Sequence, residues 1–331
     1  MYRIAINGFG RIGRMFMRYV LAKQNIEVVA INDLTDVTTL AHLFKYDSVH
    51  GKFKGEVSAE EHALVINGKK IKIISEKDPA NLPWKDLNVD LVLESTGLFL
   101  DIKNSEKHLA AGAKKVLLSA PPKDQNIKTI VLGVNDFLLT KEDVIISNAS
   151  CTTNCAAPMI KVIHENFTIE QAYITTVHAY TSDQRLHDAP HKDLRRARAA
   201  ALNMVPTSTG AAKAITLTFP ELEGKIGGAG IRVPVPVGSL TDITCTIKKA
   251  TTIEEINKAF KLASEKNLKG ILSYSEEPLV SSDIVGDTSS CIFDAQLTSV
   301  IGTMVKVVGW YDNEAGYSMR LVDLIEKISD M

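Results

Sequence analysis

One cysteine of this chain stands where a side chain could act as a nucleophile. Cys151 follows Ser150 at the predicted start of a helix over residues 151–165. There the positive end of the helix dipole and unpaired backbone N–H groups would lower the pKa of a thiol and stabilise an oxyanion beside it. His178, at the end of a predicted strand, could accept the thiol proton. We predict a thiol–imidazole pair; the alternative is that each residue is an ordinary packed or solvated side chain.

A second cysteine lies one helical turn further on. Cys155 shares a helix face with Cys151, so it could be a metal ligand or a redox partner. No other cysteine or histidine stands nearby at the spacing of a zinc site. We therefore predict that Cys155 is a packed core thiol and that the protein has no metal site.

A glycine-rich turn follows the first predicted strand. Gly8, Gly10 and Gly13 form the pattern G-x-G-x-x-G between a strand and a helix. The first glycine permits the tight turn, the second lets the backbone approach a pyrophosphate, and the third lets helix and strand pack closely. Asp33 ends the second predicted strand about 20 residues later, where a carboxylate binds the adenosine ribose and repels a 2′-phosphate. These residues predict NAD as the cofactor; the alternative is a structural turn with a solvated aspartate.

Two patterns of secondary structure divide the chain. Up to residue 150, continuous apolar strands alternate with helical stretches, as in a parallel sheet covered on both faces. Beyond it, longer strands alternate apolar and polar residues, as in a sheet with one face packed against helices. We therefore predict an α/β protein. A Rossmann-type, doubly wound parallel sheet over residues 1–150 binds NAD, an α+β catalytic domain with a mostly antiparallel sheet covers 151–315, and a helix over 316–331 packs back on the NAD-binding domain.

The individual elements follow from apolar spacing. In the first part we predict strands over residues 3–7, 27–32, 89–95, 115–119, 129–134 and 144–147, and helices over 11–22 and 102–111. In the second part we predict helices over residues 151–165, 210–218 and 253–265, and strands over 171–179, 240–247 and 303–311. Residues 181–203 are polar and show no such spacing, and a loop of that length is usually functional or disordered.

Composition excludes several classes of protein. With 45% hydrophobic and 23% charged residues in 331, the chain matches a folded globular protein rather than a collagen, a coiled coil or a disordered chain. The 38 Lys and Arg residues against 39 Asp and Glu leave a net charge of −1, which offers no field for a nucleic-acid backbone or an anionic membrane. We find no secretory-signal pattern and no membrane-spanning apolar run. With four scattered cysteines, this favours a reducing cytoplasm.

Three segments together resemble the glyceraldehyde-3-phosphate dehydrogenase family. They are Asn7-Gly8-Phe9-Gly10-Arg11-Ile12-Gly13-Arg14, Ala149-Ser150-Cys151-Thr152-Thr153-Asn154 and Trp310-Tyr311-Asp312-Asn313-Glu314. The similarity runs from the first strand to the last helix, and the cysteine motif is the most specific of the three. In that family a cysteine attacks the aldehyde of glyceraldehyde 3-phosphate, and the hydride of the resulting hemithioacetal passes to the nicotinamide. Inorganic phosphate then cleaves the thioester to give 1,3-bisphosphoglycerate.

The resemblance implies a role for each matching residue. Cys151 is the implied nucleophile, and His178 activates the thiol and then acts as acid and base on the substrate oxygen. For the substrate's own phosphate the resemblance implies Thr181 and Arg232. For the attacking phosphate it implies Ser150, Thr209 and Gly210, with Thr152 and Arg196 nearby.

The resemblance also extends to the cofactor and to assembly. It implies Arg11 and Ile12 at the pyrophosphate, Lys77 and Ser119 on the adenosine and nicotinamide sides, and Asn313 at the carboxamide. Thr96 and Gly97 end a predicted strand at the carboxyl edge of the sheet, where such cofactors bind. The family forms homotetramers in which the basic run near Arg196 lies beside the cofactor and a neighbouring subunit, so we read that run as an interface rather than a nucleic-acid site.

One position departs from the family's usual NAD-dependent pattern. Ala189 stands where leucine is commoner and where NADP-using relatives carry smaller residues. We give Asp33 more weight, because an unpaired carboxylate facing a phosphate costs more than a missing methyl group gains. We therefore predict a preference for NAD. Two alternative functions stay open at this point: an erythrose-4-phosphate dehydrogenase and a non-catalytic NAD-binding protein.

Overall fold

The computed structural model describes residues 1–331, which form two compact units. Unit 1 comprises Met1–Ile130, Phe137–Ala149 and Ser318–Met331, and unit 2 comprises Val131–Asp136 and Ser150–Tyr317. The last segment of the chain therefore belongs to unit 1, where Glu326 forms an ion pair with Lys23 at 2.5 Å. None of the helices combines the length and the apolar character needed to cross a membrane.

The elements are named here in chain order. The strands are β1 Tyr2–Asn7, β2 Ile26–Asn32, β3 Val57–Glu60, β4 Ala63–Ile66, β5 Lys69–Ile74, β6 Leu91–Glu94, β7 Lys115–Leu118, β8 Lys128–Thr129, β9 Ile145–Ser147, β10 Ile169–Ala179, β11 Val205–Thr207, β12 Ile226–Val233, β13 Ser239–Ile247, β14 Leu272–Ser275, β15 Cys291–Asp294, β16 Ser299–Ile301 and β17 Met304–Tyr311. The helices are α1 Arg11–Val20, α2 Val37–Lys45, α3 Ile102–Ala110, α4 Cys151–Phe167, α5 Ala211–Thr218, α6 Ile253–Glu265 and α7 Ala315–Ser329.

Unit 1 is built on a sheet of nine strands in the order β3-β4-β5-β2-β1-β6-β7-β9-β8. All neighbours from β5 to β8 are parallel, because helices and loops return the chain to the same edge before each new strand begins. The central strands are buried on both faces, which explains their continuous apolar sequence. The prediction of an α/β fold with a doubly wound parallel sheet is confirmed, with β3 and β4 as an antiparallel edge that the sequence analysis missed.

Unit 2 contains a mixed sheet in the order β11-β12-β10-β13-β17-β15-β14, and β16 pairs with β17. Five of its seven strand pairs are antiparallel, and β10 and β12 form one of the parallel pairs. Along β13 every second residue is buried, as predicted for a sheet with one face against helices. The helix α4 contacts β10, β13, β15 and β17, so it packs on this sheet.

Several elements were not predicted from the sequence, and two of the differences have a clear local cause. The predicted strand over residues 129–134 ends at Thr129, because Gly133 has a φ of +75° and the chain turns there. Its apolar residues are nevertheless buried, which produced the strand-like pattern. The strand β12 was missed because Gly227, Gly228 and Gly230 give it little strand propensity. These glycines allow a close approach: a Cβ on Gly228 would lie 3.1 Å from the carbonyl oxygen of Ile174.

Candidate active site

The thiol of Cys151 lies at the first position of α4 in unit 2. The preceding residue, Ser150, caps the helix: its Oγ accepts a hydrogen bond of 3.1 Å from the backbone N–H of Thr153. The Cys151 Sγ lies 3.4 Å from Nε2 of His178, at the end of β10. As whole residues, Cys151 is half-buried and His178 is buried, and the thiol itself lies on the inner side of Cys151 against the protein. The structure therefore brings the predicted thiol–imidazole pair together.

Arg232 stands directly beside the imidazole, because His178 and Arg232 are opposite each other in the parallel pair β10 and β12. Its Nη1 lies 2.5 Å from Nδ1 of His178 and donates to the carbonyl oxygen of Ala179 at 3.0 Å. The same Nδ1 lies 2.7 Å from that carbonyl oxygen. A guanidinium only donates and a carbonyl only accepts, so each of the two neutral tautomers of His178 finds a partner at Nδ1.

These contacts set the protonation of the pair. Burial raises the pKa of the Cys151 thiol to about 11, and the charge of Arg232 and hydrogen bonds from Thr152 oppose that rise. Burial, and then the charge of Arg232, lower the pKa of His178 to about 3. The pair therefore rests as a neutral thiol and a neutral imidazole near neutral pH. The sequence-based prediction of a lowered thiol pKa is wrong, because it considered the helix dipole and left out burial.

Sequence reasoning missed the role of Tyr311, although it lies inside one of the quoted motifs. The Tyr311 hydroxyl lies 2.9 Å from Oγ1 of Thr152 and 2.9 Å from Oγ1 of Thr176. Its ring meets the His178 ring edge-on at 5.9 Å. Tyr311 thus ties the first turn of α4 to two strands below it and supports the imidazole. No local sequence signal indicates this, because the partners are 159 and 135 residues away.

The residues predicted to bind phosphate lie at two places in unit 2. Thr181 follows the end of β10, three residues after His178, and its backbone N–H donates to Oε1 of Gln184 at 3.3 Å. Arg196 forms an ion pair with Asp183, and its Nε donates to Oγ1 of Thr207 at 2.9 Å. Because Thr207 pairs with Gly230 in β12, Arg196 lies near the strand that carries Arg232.

The remaining predicted phosphate residues lie at helix starts. Gly210 is the N-cap of α5 and has no side chain that could cap the helix. The neighbouring Thr209 accepts a hydrogen bond of 3.2 Å at Oγ1 from the backbone N–H of Ala211. The helix α5 contacts α4, whose cap is Ser150. Thr152 also lies in the first turn of α4; it is buried, and its hydroxyl lies 2.9 Å from that of Tyr311.

The glycine turn in unit 1 has the geometry that a pyrophosphate requires. Gly8 has a φ of +94°, and a Cβ there would lie 2.8 Å from the backbone nitrogen of Thr96. A Cβ on Gly13 would overlap the carbonyl oxygen of Gly8, so the third glycine does bring helix and strand together. No atom lies within 4 Å of the corresponding position on Gly10, which is the uncapped N-cap of α1. The open space at this turn and the helix N-terminus beside it fit the diphosphate of NAD.

Asp33 and Arg11 stand on either side of this turn. The Asp33 carboxylate accepts from the backbone N–H of Phe9 at 2.8 Å and from that of Thr35 at 3.0 Å, which fixes it beside the turn after β2. The guanidinium of Arg11 donates to Asp47 at 2.6 Å and is therefore held at that carboxylate. The backbone of Arg11 and that of the half-buried Ile12 form the N-terminus of α1. Burial alone would raise the pKa of Asp47, but hydrogen bonds from His50 and Val49 and the charge of Arg11 hold it well below its usual range.

The other predicted cofactor residues are spread over both units. In unit 1, Lys77 is exposed after β5, Thr96 and Gly97 follow β6, and the Ser119 N–H donates to the carbonyl oxygen of Glu94 at 3.0 Å. In unit 2, the buried Asn313 accepts from the hydroxyl of Ser239 at 3.0 Å through its Oδ1.

The four cysteines are free thiols, and three of them are buried. Cys155 is completely buried and contacts the carbonyl oxygen of Gly309 at 3.7 Å, as expected of a core thiol. No group of three or more His, Cys, Asp or Glu side chains is arranged to hold a metal ion.

A glycine turn beside a fixed carboxylate in one unit and a thiol–imidazole–guanidinium site in the other are typical of a nicotinamide-dependent dehydrogenase that works through a cysteine. Residues 2–102 match the family model described as the NAD-binding domain of glyceraldehyde 3-phosphate dehydrogenase, and residues 150–313 match that of its C-terminal domain. The chain therefore belongs to the glyceraldehyde-3-phosphate dehydrogenase family.

Individual relatives are similar over nearly the whole chain. Glyceraldehyde-3-phosphate dehydrogenase 2 of Streptomyces avermitilis is 58% identical over 326 residues, covering 97% of each chain. The Mycobacterium avium enzyme of the same family is 58% identical over 330 residues, covering 98% of this chain and 97% of its own. The Thermotoga maritima enzyme is 58% identical over 334 residues and covers 100% of both chains.

These matches decide the class of activity. The protein is an NAD-dependent, phosphorylating dehydrogenase of glycolysis, and its cofactor is NAD. The alternatives of an erythrose-4-phosphate dehydrogenase and of a non-catalytic NAD-binding protein are not favoured.

Proposed function

We propose that this chain oxidises glyceraldehyde 3-phosphate by attack of Cys151 on the aldehyde carbon. The observation that carries the proposal is the 3.4 Å contact between Cys151 Sγ and His178 Nε2. As the C–S bond forms, the thiol proton moves to Nε2, and the aldehyde oxygen takes a proton to complete the hemithioacetal. Bound NAD would supply the hydride acceptor; loss of the hydride from the hemithioacetal carbon and of its hydroxyl proton to Nε2 of His178 would leave a thioester on Cys151.

The two partners of His178 Nδ1 support an acid–base role for the imidazole. With Nδ1–H donated to the carbonyl of Ala179, Nε2 carries a lone pair and can accept a proton. With Nδ1 accepting from Arg232, Nε2 carries the proton and can donate it. The nearby positive charge disfavours the imidazolium, so a proton accepted from sulfur or from the hemithioacetal hydroxyl is passed on rather than retained.

We propose that the same site then releases the product to inorganic phosphate. A phosphate oxygen attacks the thioester carbon, the C–S bond breaks, and Cys151 regains its proton while 1,3-bisphosphoglycerate leaves. Thr181 and Arg232 are the proposed donors to the substrate's phosphate, since both lie at the His178 end of β10 and β12. Ser150, Thr209, Gly210 and Arg196 are the proposed donors to the attacking phosphate, supported by the helix starts at α4 and α5. Thr152, in the first turn of α4, completes the proposed set for the attacking phosphate.

A phosphate-dependent assay tests this sequence of steps. With glyceraldehyde 3-phosphate, NAD and inorganic phosphate, NADH absorbance should rise steadily. Without phosphate, NADH formation should stop after about one equivalent per Cys151, because the thioester accumulates. Sustained NADH formation that ignores phosphate would contradict the proposed phosphorolysis and favour simple aldehyde oxidation.

On the cofactor side we propose contacts within each unit. Gly8, Gly10, Gly13 and the backbone of Arg11 and Ile12 bind the pyrophosphate. Asp33 binds the adenosine ribose and gives the preference for NAD over NADP, and Lys77, Thr96, Gly97 and Ser119 line the same edge of the sheet. Asn313 binds the carboxamide, supported by the Ser239 hydroxyl that orients its side chain. Ala189, which departs from the usual NAD-dependent pattern, does not change this proposal. A kcat/KM higher with NADP than with NAD would contradict the preference.

We also propose domain limits, an assembly state and a location. The limits are 1–150, 151–315 and 316–331, supported by the family models and by the C-terminal segment within unit 1.

A homotetramer is supported by four large apolar side chains exposed in or next to the loop over 181–203, and light scattering of the purified protein tests it. Those side chains are Leu186, Leu194, Leu202 and Met204. Four free thiols support a reducing cytoplasm, which cell fractionation tests.

A further inference from the structure

Side chains join the last residues of neighbouring strands in unit 1. Asn32 ends β2, Asn7 ends β1 and Glu94 ends β6, and Asn7 is the register partner of both others. All three side chains are buried. The backbone of Glu76, two residues after β5, and the ring of His108 complete the group, which we call the edge network. It runs across the carboxyl end of the parallel sheet.

The hydrogen bonds of the edge network have one consistent direction. The backbone N–H of Glu76 donates to Oδ1 of Asn32 at 2.9 Å, and the Asn32 amide donates to the Glu76 carbonyl at 2.9 Å. The orientation of Asn32 is thereby fixed, and its amide also donates to Oδ1 of Asn7 at 2.7 Å. The amide of Asn7 is left to donate to Oε2 of Glu94 at 2.5 Å.

His108 delivers a second donor to the same oxygen. The indole N–H of Trp84 can only donate, and it does so to Nδ1 of His108 at 3.0 Å. The proton of the neutral imidazole must then lie on Nε2, which is 3.2 Å from Oε2 of Glu94. The side chains of Glu94 and His108 are both 0% exposed, so no solvent helps to satisfy them.

Thr96 satisfies the other carboxylate oxygen. Its backbone N–H donates to Oε1 of Glu94 at 2.8 Å, and its hydroxyl donates to the same atom. Glu94 therefore accepts from four donors, two on each oxygen. A buried carboxylate costs much free energy unless donors surround it, so this arrangement holds only while all of the donors stay in place.

Each strand end in the edge network leads into a loop with a proposed NAD contact. Gly8 follows Asn7, Asp33 follows Asn32, Lys77 follows Glu76, and Thr96 stands two residues after Glu94. The backbone continues the link, because Gly8 N–H donates to the carbonyl of Asn32 at 2.8 Å and Asp33 N–H to that of Ile74 at 3.0 Å. Backbone and side-chain hydrogen bonds thereby link each of these loops to its neighbours.

We propose that Glu94 is a positioning residue for NAD, whose carboxylate holds the turn at Gly8, the loop at Asp33 and the turn at Thr96 in one arrangement. Glu94 acts through Asn7 and Thr96 and does not itself contact NAD. The inference rests on the proposed NAD contacts of these loops and adds to them the group that keeps them in register. Preorganised loops bind more tightly because less conformational freedom is lost on binding.

Glu94→Gln tests the proposal with almost no change in volume. Whichever way the new amide points, its NH2 group faces donors: the Thr96 N–H at one end, or the Asn7 amide and His108 Nε2–H at the other. We expect the Kd for NAD, measured by calorimetry, to rise about tenfold, because buried donors left without an acceptor no longer hold the loops in one arrangement. The amide hydrogens of Gly8 and Asp33 should exchange faster without NAD, and kcat at saturating NAD should change little.

Asp90→Asn is the matched control. Asp90 stands just before β6, at the opposite end of the same strand, and accepts from the backbone N–H of Arg3 at 2.8 Å and from Lys114 at 2.7 Å. It should lower the melting temperature while leaving the Kd for NAD within about twofold. Equal effects of the two variants on NAD binding, or an unchanged Kd in Glu94→Gln, would overturn the proposal.

Asn32→Ala tests the edge network from its other end if Glu94→Gln does not fold. It removes the link between Asn7 and the loop after β5 and leaves the four bonds of Glu94 in place. We expect NAD binding to weaken severalfold, and an unchanged Kd would refute the network. A wild-type protein with no measurable NAD affinity would instead refute the proposed NAD contacts, so the two failures are distinguishable.

Discussion

The carboxyl edge of the sheet in unit 1 and the cysteine site in unit 2 differ in how their buried polar side chains are hydrogen-bonded. At the edge, Glu94 accepts from four donors, and each amide has one possible orientation. At the cysteine site, Nδ1 of His178 lies between a donor and an acceptor, and both the thiol and the imidazole are neutral.

This difference separates what binding needs from what reaction needs. A surface that recognises a cofactor gains from groups with a single arrangement, because no reorganisation is then required. A group that accepts and then donates a proton needs partners in more than one state. His178, the proposed acid and base, has one partner at Nδ1 for each of its two neutral tautomers, Ala179 and Arg232.

The largest effect should come from Cys151→Ser, which should impair the cysteine site and leave the carboxyl edge of the sheet in unit 1 unchanged. Activity should fall by at least about 10³-fold, since the hydroxyl is a far weaker nucleophile, while NAD affinity stays within about twofold. NADH absorbance and calorimetry measure the two quantities. Cys245→Ala, at a buried thiol of β13, is the control and should retain activity. Activity above about one tenth of wild type in Cys151→Ser would assign the nucleophile elsewhere.

Removing the donor at Nδ1 should have the next largest effect. Because Arg232 lowers the pKa of both Cys151 and His178, Arg232→Met should raise both values. Alkylation of the thiol by iodoacetamide should then require higher pH, and kcat/KM should fall about 100-fold through the lost charge and phosphate contact. Arg198→Met, at an exposed ion pair with Asp188, is the control. A shift of the alkylation profile to lower pH would contradict this account.

On the binding side, Asp33→Ser should change the choice of cofactor. The variant loses the carboxylate that is expected to accept from the ribose and to repel a 2′-phosphate, so NAD affinity should fall about tenfold and NADP affinity should rise. Titrations with both dinucleotides measure the change. Asp36→Ser is the matched control, because Asp36 only caps α2 and serine also caps well. The same NAD-to-NADP ratio before and after Asp33→Ser would rule out its role in selectivity.

The smallest effect should come from Tyr311→Phe, which removes the hydroxyl that bridges Thr152 and Thr176 at the cysteine site. Two buried hydroxyls, Thr152 and Thr176, lose a partner, so the free energy of unfolding should fall by about 1–3 kcal/mol. The kcat should fall severalfold as the first turn of α4 loosens. Urea unfolding and steady-state kinetics measure both, with Tyr274→Phe, whose hydroxyl meets Glu276 at 3.1 Å, as the control. Unchanged stability would mean that the bridge contributes nothing.

The sequence predicts local features well because local spacing determines them. The turn at Gly8, the start of α4 at Cys151 and the alternation along β13 each depend on a few neighbouring residues. The pairing of Cys151 with His178 was also predicted, because a thiol nucleophile needs a nearby base and a histidine can accept its proton.

What the sequence did not reveal depends on distant partners and on burial. Glu94 and His108 are unremarkable in sequence, and their meeting with Asn7 requires the strand order of the folded sheet. The thiol pKa was predicted in the wrong direction, because the amount of protein around Cys151 is a tertiary property. The resemblance carried Arg11 to the pyrophosphate, whereas the contact of its side chain with Asp47 appears only in three dimensions.

The three glycines of the dinucleotide turn have different reasons to be glycine. Gly8 and Gly13 could not carry a methyl group without collision, but Gly10 has an ordinary backbone conformation, with a φ of −71°, and open space around it. Folding alone would thus tolerate alanine at position 10, and the methyl group would occupy space that we propose for the dinucleotide. An alanine variant at this position would provide a correctly folded chain for experiments that require the protein to stay free of its coenzyme.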